Sequence, residues 1–193
     1  MPKKTKNTKT KIVEAAWDLF YSQGYDDTTI DDIVDKSQTS KGSFYHYFES
    51  KDALLGSLAY LFDNKYEELK DTISPDMNAF DVLIYLNREL FELIDNKIDP
   101  SLIAKLYSTQ LIRKGEKSLL DHDRLYYRLL KQIVINGQKK KELTDSMSVN
   151  EIVNLYAMCE RALISEWCMR DWAFSLKTYS EINLPKMISC IKA

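Results

Sequence analysis

Apolar positions recur at intervals of three and four along nearly the whole chain, the period of an amphipathic helix and not the two-residue alternation of a strand. Over residues 10–23, Ile12, Ala15, Ala16, Leu19 and Phe20 share one face, and Gly24-Tyr25 follows. Thr29 precedes Ile30, Ile33 and Val34, with Asp32 three positions on, which predicts a capped helix over 29–36. Ser40 is placed to cap a second short helix over 41–47, in which Phe44 and the following Phe48 point inward at i, i+4. Ser50 opens a long helix expected over 51–70, with Leu54, Leu55, Leu58, Leu61, Phe62, Tyr66 and Leu69 as its stripe.

Further along, Thr72-Ile73-Ser74-Pro75-Asp76 breaks the pattern, and Phe80, Leu83, Ile84, Leu90, Phe91 and Ile94 mark a helix ending near Asn96. Pro100 suits a first helical position before Leu102, Ile103, Leu106, Tyr107 and Leu111, a helix expected to stop near Gly115. Leu119, Leu125, Tyr126, Leu129, Leu130 and Ile133 predict a helix over 118–136 that Asn136-Gly137 terminates. Residues 138–143, with three consecutive lysines, read as a surface connection. Ser148 and Glu151 form a capping box for a helix over 148–170, and a last helix covers 178–192 with Pro185 as a kink.

These elements make an all-α chain. Hydrophobic residues at 45%, charged residues at 29%, and only five Gly and four Pro agree with long helices rather than a turn-rich β fold. The 193 residues suffice for a small module joined to a larger one, and the pattern divides them into a helix-turn-helix domain over 1–50 and a helical domain over 51–193. The last two helices carry apolar residues over more than one stripe, so each has more apolar surface than one neighbour covers. A partner helix is the simplest way to bury it, although a monomeric bundle is also compatible with the pattern.

Two short helices joined by a tight turn are how a chain builds a reader for the DNA major groove. An exposed face of Lys41, Gly42, Ser43, Tyr45 and His46 is suited to phosphate oxygens and base edges. The segment resembles the DNA-binding domain of the TetR family of transcriptional regulators, whose signature S-x-G-x-x-Y-x-x-F-x-x-K-x-x-L stands here as Ser40, Gly42, Tyr45, Phe48, Lys51 and Leu54. The run A-x-x-L-F-x-x-x-G-Y, followed by Thr28-Thr29-Ile30, matches too. The likeness is dense over the first third of the chain and diffuse beyond it. Where the family usually has Gly-Val before the serine, this chain has Gln38-Thr39, which puts a non-glycine residue at a left-handed turn position at a cost of about 1 kcal/mol. Gln38 is either a solvated turn residue or an amide offered to a base.

The resemblance implies that Thr29, Lys41, Tyr45, Tyr47 and Lys51 face phosphates while Ser40, Gly42, Ser43 and His46 lie closest to base edges. Tyr45 and Tyr47 can alternatively be core rings with wet hydroxyls. The resemblance also implies a two-fold homodimer built on the last two helices, and a small-molecule effector whose binding releases double-stranded operator DNA. Rings are plentiful in the middle helices, and Tyr66, Phe91, Tyr107, Tyr126 and Trp167 are the candidates for the effector pocket, each of them equally serviceable as core.

Charge changes the picture less than its distribution does. The net charge is −2, yet the first eleven residues carry Lys3, Lys4, Lys6, Lys9 and Lys11 and no acid, a basic arm or a solvated terminus. No apolar run approaches a membrane span and the start lacks a signal-peptide core, so a cytoplasmic protein without a membrane partner is expected. Cys159, Cys168 and Cys190 lack C-x-x-C spacing, which favours reduced thiols over a zinc site or a disulfide framework, with a thiol sensor as the lesser alternative. There is no G-x-S-x-G, no Walker loop and no H-E-x-x-H, and adjacent Asp121, His122 and Asp123 point in different directions on a helix, so neither an enzyme, a cofactor nor a metal is expected. The resulting expectation is a homodimeric, ligand-responsive regulator, a repressor on a pseudo-palindromic operator. Its rival is a helical binding or adaptor module whose DNA reader is degenerate.

Overall fold

A computed structural model of the chain describes residues 7–112 and 117–193, the side chain of Tyr60 apart. Lys3, Lys4 and Lys6 of the basic arm and the expected helix end at Gly115 lie outside the described residues. Within them the chain is helical throughout, and the one β pairing is an isolated antiparallel bridge between Leu143 and Lys192. It divides into two compact units, the first ending at Leu58 and the second beginning at Ala59.

The first unit holds α1 (Thr8–Gln23), α2 (Ile30–Ser37), α3 (Lys41–Tyr47) and α4 (Lys51–Leu55). Each starts where a side chain satisfies the free N–H groups of a first turn: Asn7 for α1, Thr29 with Asp32 as a reciprocal box for α2, Ser40 for α3 and Ser50 for α4. Ile12, Ala16 and Phe20 of α1, Ile33 of α2 and Phe44 of α3 are buried, as is Phe48, and form the core on which the first three helices sit. Gln38 takes the left-handed conformation that the turn demands, with φ 53° and ψ 45°. Its N–H donates to the carbonyls of Val34 and Asp35, and the Ser37 and Thr39 hydroxyls bond across it at 2.8 Å, so local bonds offset the strain.

The helix expected over 51–70 is two helices, α4 and α5 (Leu58–Lys70). The reason lies at Ser57, whose hydroxyl donates to the Leu54 carbonyl at 2.5 Å and accepts the Trp17 indole N–H at 2.8 Å. A side chain that takes the carbonyl of its own preceding turn competes with the helical ladder.

The second unit continues from α5 with α6 (Ala79–Lys97), α7 (Pro100–Ile112), a short 3-10 turn (Ser118–Leu120), α8 (Leu125–Lys139), α9 (Val149–Met169), α10 (Leu176–Met187) and a closing 3-10 turn (Ser189–Ile191). α6 packs along α10, and α9 packs against α7, α8 and α10. Asp95 of α6 ties the bundle by accepting the Leu176 and Lys177 N–H groups at 3.0 and 2.9 Å, which starts α10 earlier than its own periodicity shows. α8 begins seven residues later than expected because Asp121 accepts the Asp123 N–H at 2.9 Å in an Asx turn, and it runs through Asn136-Gly137 instead of ending there.

Gly137 is buried inside α8 for a packing reason. A Cβ there would lie 2.5 Å from the Ala79 Cβ and 2.8 Å from Leu143 Cδ1. Leu143, expected in a surface connection, is accordingly 1% exposed. Gly137→Ala is expected to destabilise the protein by about 1–2 kcal/mol in a denaturant titration, because overpacking outweighs the gain in helix propensity. Equal or greater stability of the variant would refute this close approach.

Candidate functional site

The outward surface of the first unit is carried by α3. Ser40 starts it, its Oγ accepting the Ser43 N–H at 3.0 Å, and Phe44, fully buried, pins it to α1 and α2. That anchoring turns Lys41, Gly42, Tyr45, His46 and Tyr47 outward and leaves Ser43 half-buried. Tyr45 is 54% and Tyr47 41% exposed, so both are surface rings and not core. Beside Gly42 only the Ser40 hydroxyl comes within 4 Å of where a Cβ would stand, which leaves room for another molecule's backbone to approach.

Electrostatically this face is more balanced than a row of lysines suggests. The Lys41 ammonium pairs with Asp31 of α2 at 2.7 Å, and that carboxylate raises its pKa. Lys36 lies 3.6 Å from Asp18. Thr29 is exposed, but its backbone N–H donates to the Asp32 carboxylate at 2.8 Å and its hydroxyl at 2.7 Å, and these two bonds hold the Asp32 carboxyl below its usual range while the hydroxyl also accepts the Asp32 N–H. Lys51, expected at a phosphate, is committed elsewhere. Its ammonium donates to the carbonyls of Tyr25 at 2.6 Å, Thr28 at 2.7 Å and Asp26 at 3.3 Å and sits 4.3 Å from the Tyr25 ring centroid, so it closes the turn between α1 and α2. Three donors on three carbonyls use all of its protons.

In the second unit a cavity of about 50 Å³ opens between α5, α6, α7, α8 and α9. Phe62, Leu90, Phe91, Leu119, Ala157 and Ile164 form its apolar wall; Tyr66, Tyr107, Arg124, Tyr126, Glu160 and Arg161 form the polar one. Four of the five expected pocket residues are therefore on the wall. Trp167 is not: it is buried, and its indole N–H donates to the Phe174 carbonyl at 2.8 Å, fastening the turn after α9.

Glu160 is the unusual member. It is 5% exposed and accepts hydrogen bonds from Asn87 Nδ2 at 2.9 Å, the Tyr126 hydroxyl at 2.5 Å and the Tyr156 hydroxyl at 2.9 Å. Burial raises its pKa against the opposing effect of those donors. Tyr156 also lies 2.8 Å from the Leu83 carbonyl with one proton to give, so a protonated Glu160 satisfies all partners at once. Nearby, Arg124 donates from Nε and Nη2 to Asp63 at 3.1 and 2.8 Å and from Nη2 to the Ala59 carbonyl at 2.7 Å, a buried and fully bonded ion pair.

Comparison with known proteins decides what this pair of features belongs to. The sequence profile of the family described as "Bacterial regulatory proteins, tetR family" matches residues 12–58, the helices of the first unit. The HTH-type transcriptional regulator YvdT of Bacillus subtilis (strain 168) is 30% identical over 160 residues, spanning 80% of this chain and 81% of that protein. The chain belongs to the tetR family. The HTH-type transcriptional regulator QacR of Staphylococcus aureus is 29% identical over 142 residues, covering 68% of this chain and 73% of QacR. In fold, the Thermus thermophilus repressor FadR, solved in complex with lauroyl-CoA, superposes with a TM-score of 0.76 at 20% identity over 96% of this chain and 95% of FadR. This tetR-family chain is thus a DNA-binding transcriptional regulator with an all-helical fold, and not an enzyme. No helix among the described residues is long and apolar enough to cross a membrane.

Sequence reasoning missed Asn87, Arg124, Glu160 and Arg161. A signal existed for Glu160, an acid standing in the apolar stripe of Tyr156, Ala157, Leu163 and Ile164; Arg124 and Asn87 gave none. Glu160 carries a pH dependence whose sign follows from its raised pKa. The native state holds a proton that the unfolded state releases near 4.5, so stability is complete below that value and is lost as pH rises through the higher native pKa. Glu160→Gln, which copies the neutral acid, is expected to flatten the fall in Tm as pH rises above about 4.5 and to melt at or above the native temperature at the alkaline end. An identical pH profile for the two proteins contradicts a raised Glu160 pKa.

Proposed function

We propose that this tetR-family regulator is a cytoplasmic, homodimeric repressor that reads a pseudo-palindromic operator with α3 and is released by a small effector in the α5–α9 cavity. The observation that carries the reading is the exposed face of Ser40, Lys41, Gly42, Tyr45, His46 and Tyr47 above a buried Phe44. In this reading Lys41, Tyr45, Tyr47 and the Thr29 helix start meet phosphates, while Ser40, Gly42, Ser43 and His46 meet base edges. Support for the dimer comes from α9, where Met158, Ala162, Ser165 and Met169 recur at i, i+4, i+7, i+11, with Met158 55% and Met169 73% exposed. Two readers then engage half-sites about 34 Å apart. An effector that binds one arrangement of the dimer better than the other shifts its population away from DNA.

The rival reading, a helical adaptor with a degenerate reader, draws on the Gln38 turn and on the pairing of Lys36 and Lys41 with acids. Salt-titrated binding to genomic fragments separates them: a repressor shows a few tight sites, an adaptor only weak and uniform binding. Lys41→Ala is expected to flatten the slope of log affinity against log salt by roughly one unit for each phosphate that the lysine neutralises. Asp31→Asn frees the ammonium and removes a like charge from the phosphates, so it should tighten binding several-fold at low salt. Native-like slopes in both variants would move the recognition face away from Lys41.

A further inference from the structure

On the cavity wall the Tyr66 hydroxyl and the Arg161 guanidinium lack the partners their chemistry calls for. The Tyr66 hydroxyl is buried at 1% exposure and meets no hydrogen-bonding atom among the described residues. The Arg161 guanidinium has no carboxylate within ion-pair distance among them, and its one hydrogen bond is to the Tyr127 hydroxyl at 3.3 Å. Every other charged group on the wall is spent. Arg124 is taken by Asp63 and by the carbonyls of Ala59 and Ser118, and Glu160 by Asn87, Tyr126 and Tyr156.

What remains open is donor capacity. Burial keeps the Tyr66 phenol protonated, and the same burial drives Glu160 toward its neutral form, so the acid does not repel an anion. A cationic ligand would need a free carboxylate, and Glu160 is the one acid on the wall, held toward its neutral form by burial and already bonded to Asn87, Tyr126 and Tyr156.

We propose that the effector is a small apolar carboxylate, its body against Phe62, Leu90, Phe91 and Ile164 and its carboxylate taken by the Arg161 guanidinium and the Tyr66 hydroxyl. The proposal rests on the reading of this cavity as the effector site. The space of about 50 Å³ is well below the roughly 300 Å³ of an ordinary ligand site, so compact acids bind and widen it by moving wall side chains.

The test is calorimetric titration of the full chain with benzoate, phenylacetate, hexanoate and octanoate, alongside the primary amide and primary amine of each. Acids are expected to bind at least about tenfold more tightly than their amides. Arg161→Gln should weaken the acids about ten- to a hundredfold and leave the amides nearly unchanged, the worth of a charge-assisted bond. Tyr66→Phe should weaken them about three- to tenfold without lowering Tm, since it removes a hydroxyl that has no partner. Acids bound equally well by Arg161→Gln overturn the carboxylate class. If amides or amines bind instead and Tyr66→Phe changes their affinity, the cavity is an effector site for another ligand class. If no compound binds, or if binding ignores both substitutions, the effector reading of the cavity falls as well.

Discussion

Arg124→Met is expected to lower the stability of the second unit by about 3–5 kcal/mol, a drop in Tm of roughly 6–20 °C. The Arg124 side chain is 7% and the Asp63 side chain 12% exposed, and the pair is bidentate in effect, with Nε on one Asp63 oxygen and Nη2 on the other. Removing the cation leaves a carboxylate desolvated among Ala59, Tyr126 and the apolar side of α5, and a buried charge without its counterpart costs far more than the pair contributes. The double variant Arg124→Met with Asp63→Leu removes both charges together and should recover at least half of the deficit; the Tyr126 N–H, which donates to Asp63 at 3.3 Å, keeps the recovery incomplete. Thermal melts by circular dichroism decide it. A single variant within about 1 kcal/mol of the native protein, or a double variant less stable than the single one, rules out a structural role for this ion pair.

Ala162→Glu is expected to convert the protein to monomers in sedimentation velocity and to weaken operator binding by about 10²–10⁴-fold, the advantage that two linked readers hold over one. Ala162 is exposed in the middle of the Met158, Ala162, Ser165, Met169 stripe, so the substitution places a charge on the proposed interface without entering the core. Its neighbour Leu163 is 3% exposed, and a charge there would test folding and not association. An unchanged circular dichroism spectrum keeps the comparison clean. Dimers that persist in Ala162→Glu and in Met158→Glu place the interface on another face.

The reader was legible from sequence because its signals are local. α3 spans Lys41–Tyr47 as the spacing predicts, since a serine cap, an i, i+4 aromatic pair and a turn on either side lie within a dozen residues. The capping boxes of α2 and α9 were legible for the same reason: both partners of each box are three residues apart. Two departures from the sequence pattern arise where a distant side chain overrides it. Ser57 breaks the helix expected over 51–70 because Trp17, forty residues earlier, bonds its hydroxyl, and Gly137 stays inside α8 because Ala79 leaves no room for a Cβ.

The same division runs through the candidate sites. The all-α class, the helix-turn-helix and the outward placement of Lys41, Gly42, Tyr45 and His46 on α3 follow from the chain alone, because periodicity and caps act over one or two turns, whereas Ser43, expected outward, is half-buried. Tertiary structure alone decided that Lys51 closes the turn between α1 and α2, that Trp167 fastens the turn after α9, and that Arg124 meets Asp63 sixty-one residues away while Glu160 meets Asn87 at a separation of seventy-three. A lysine or glutamate that suits solvent in a linear reading must find partners once burial strips its water, and only the packed arrangement of helices determines which donors and acceptors are near enough to supply them.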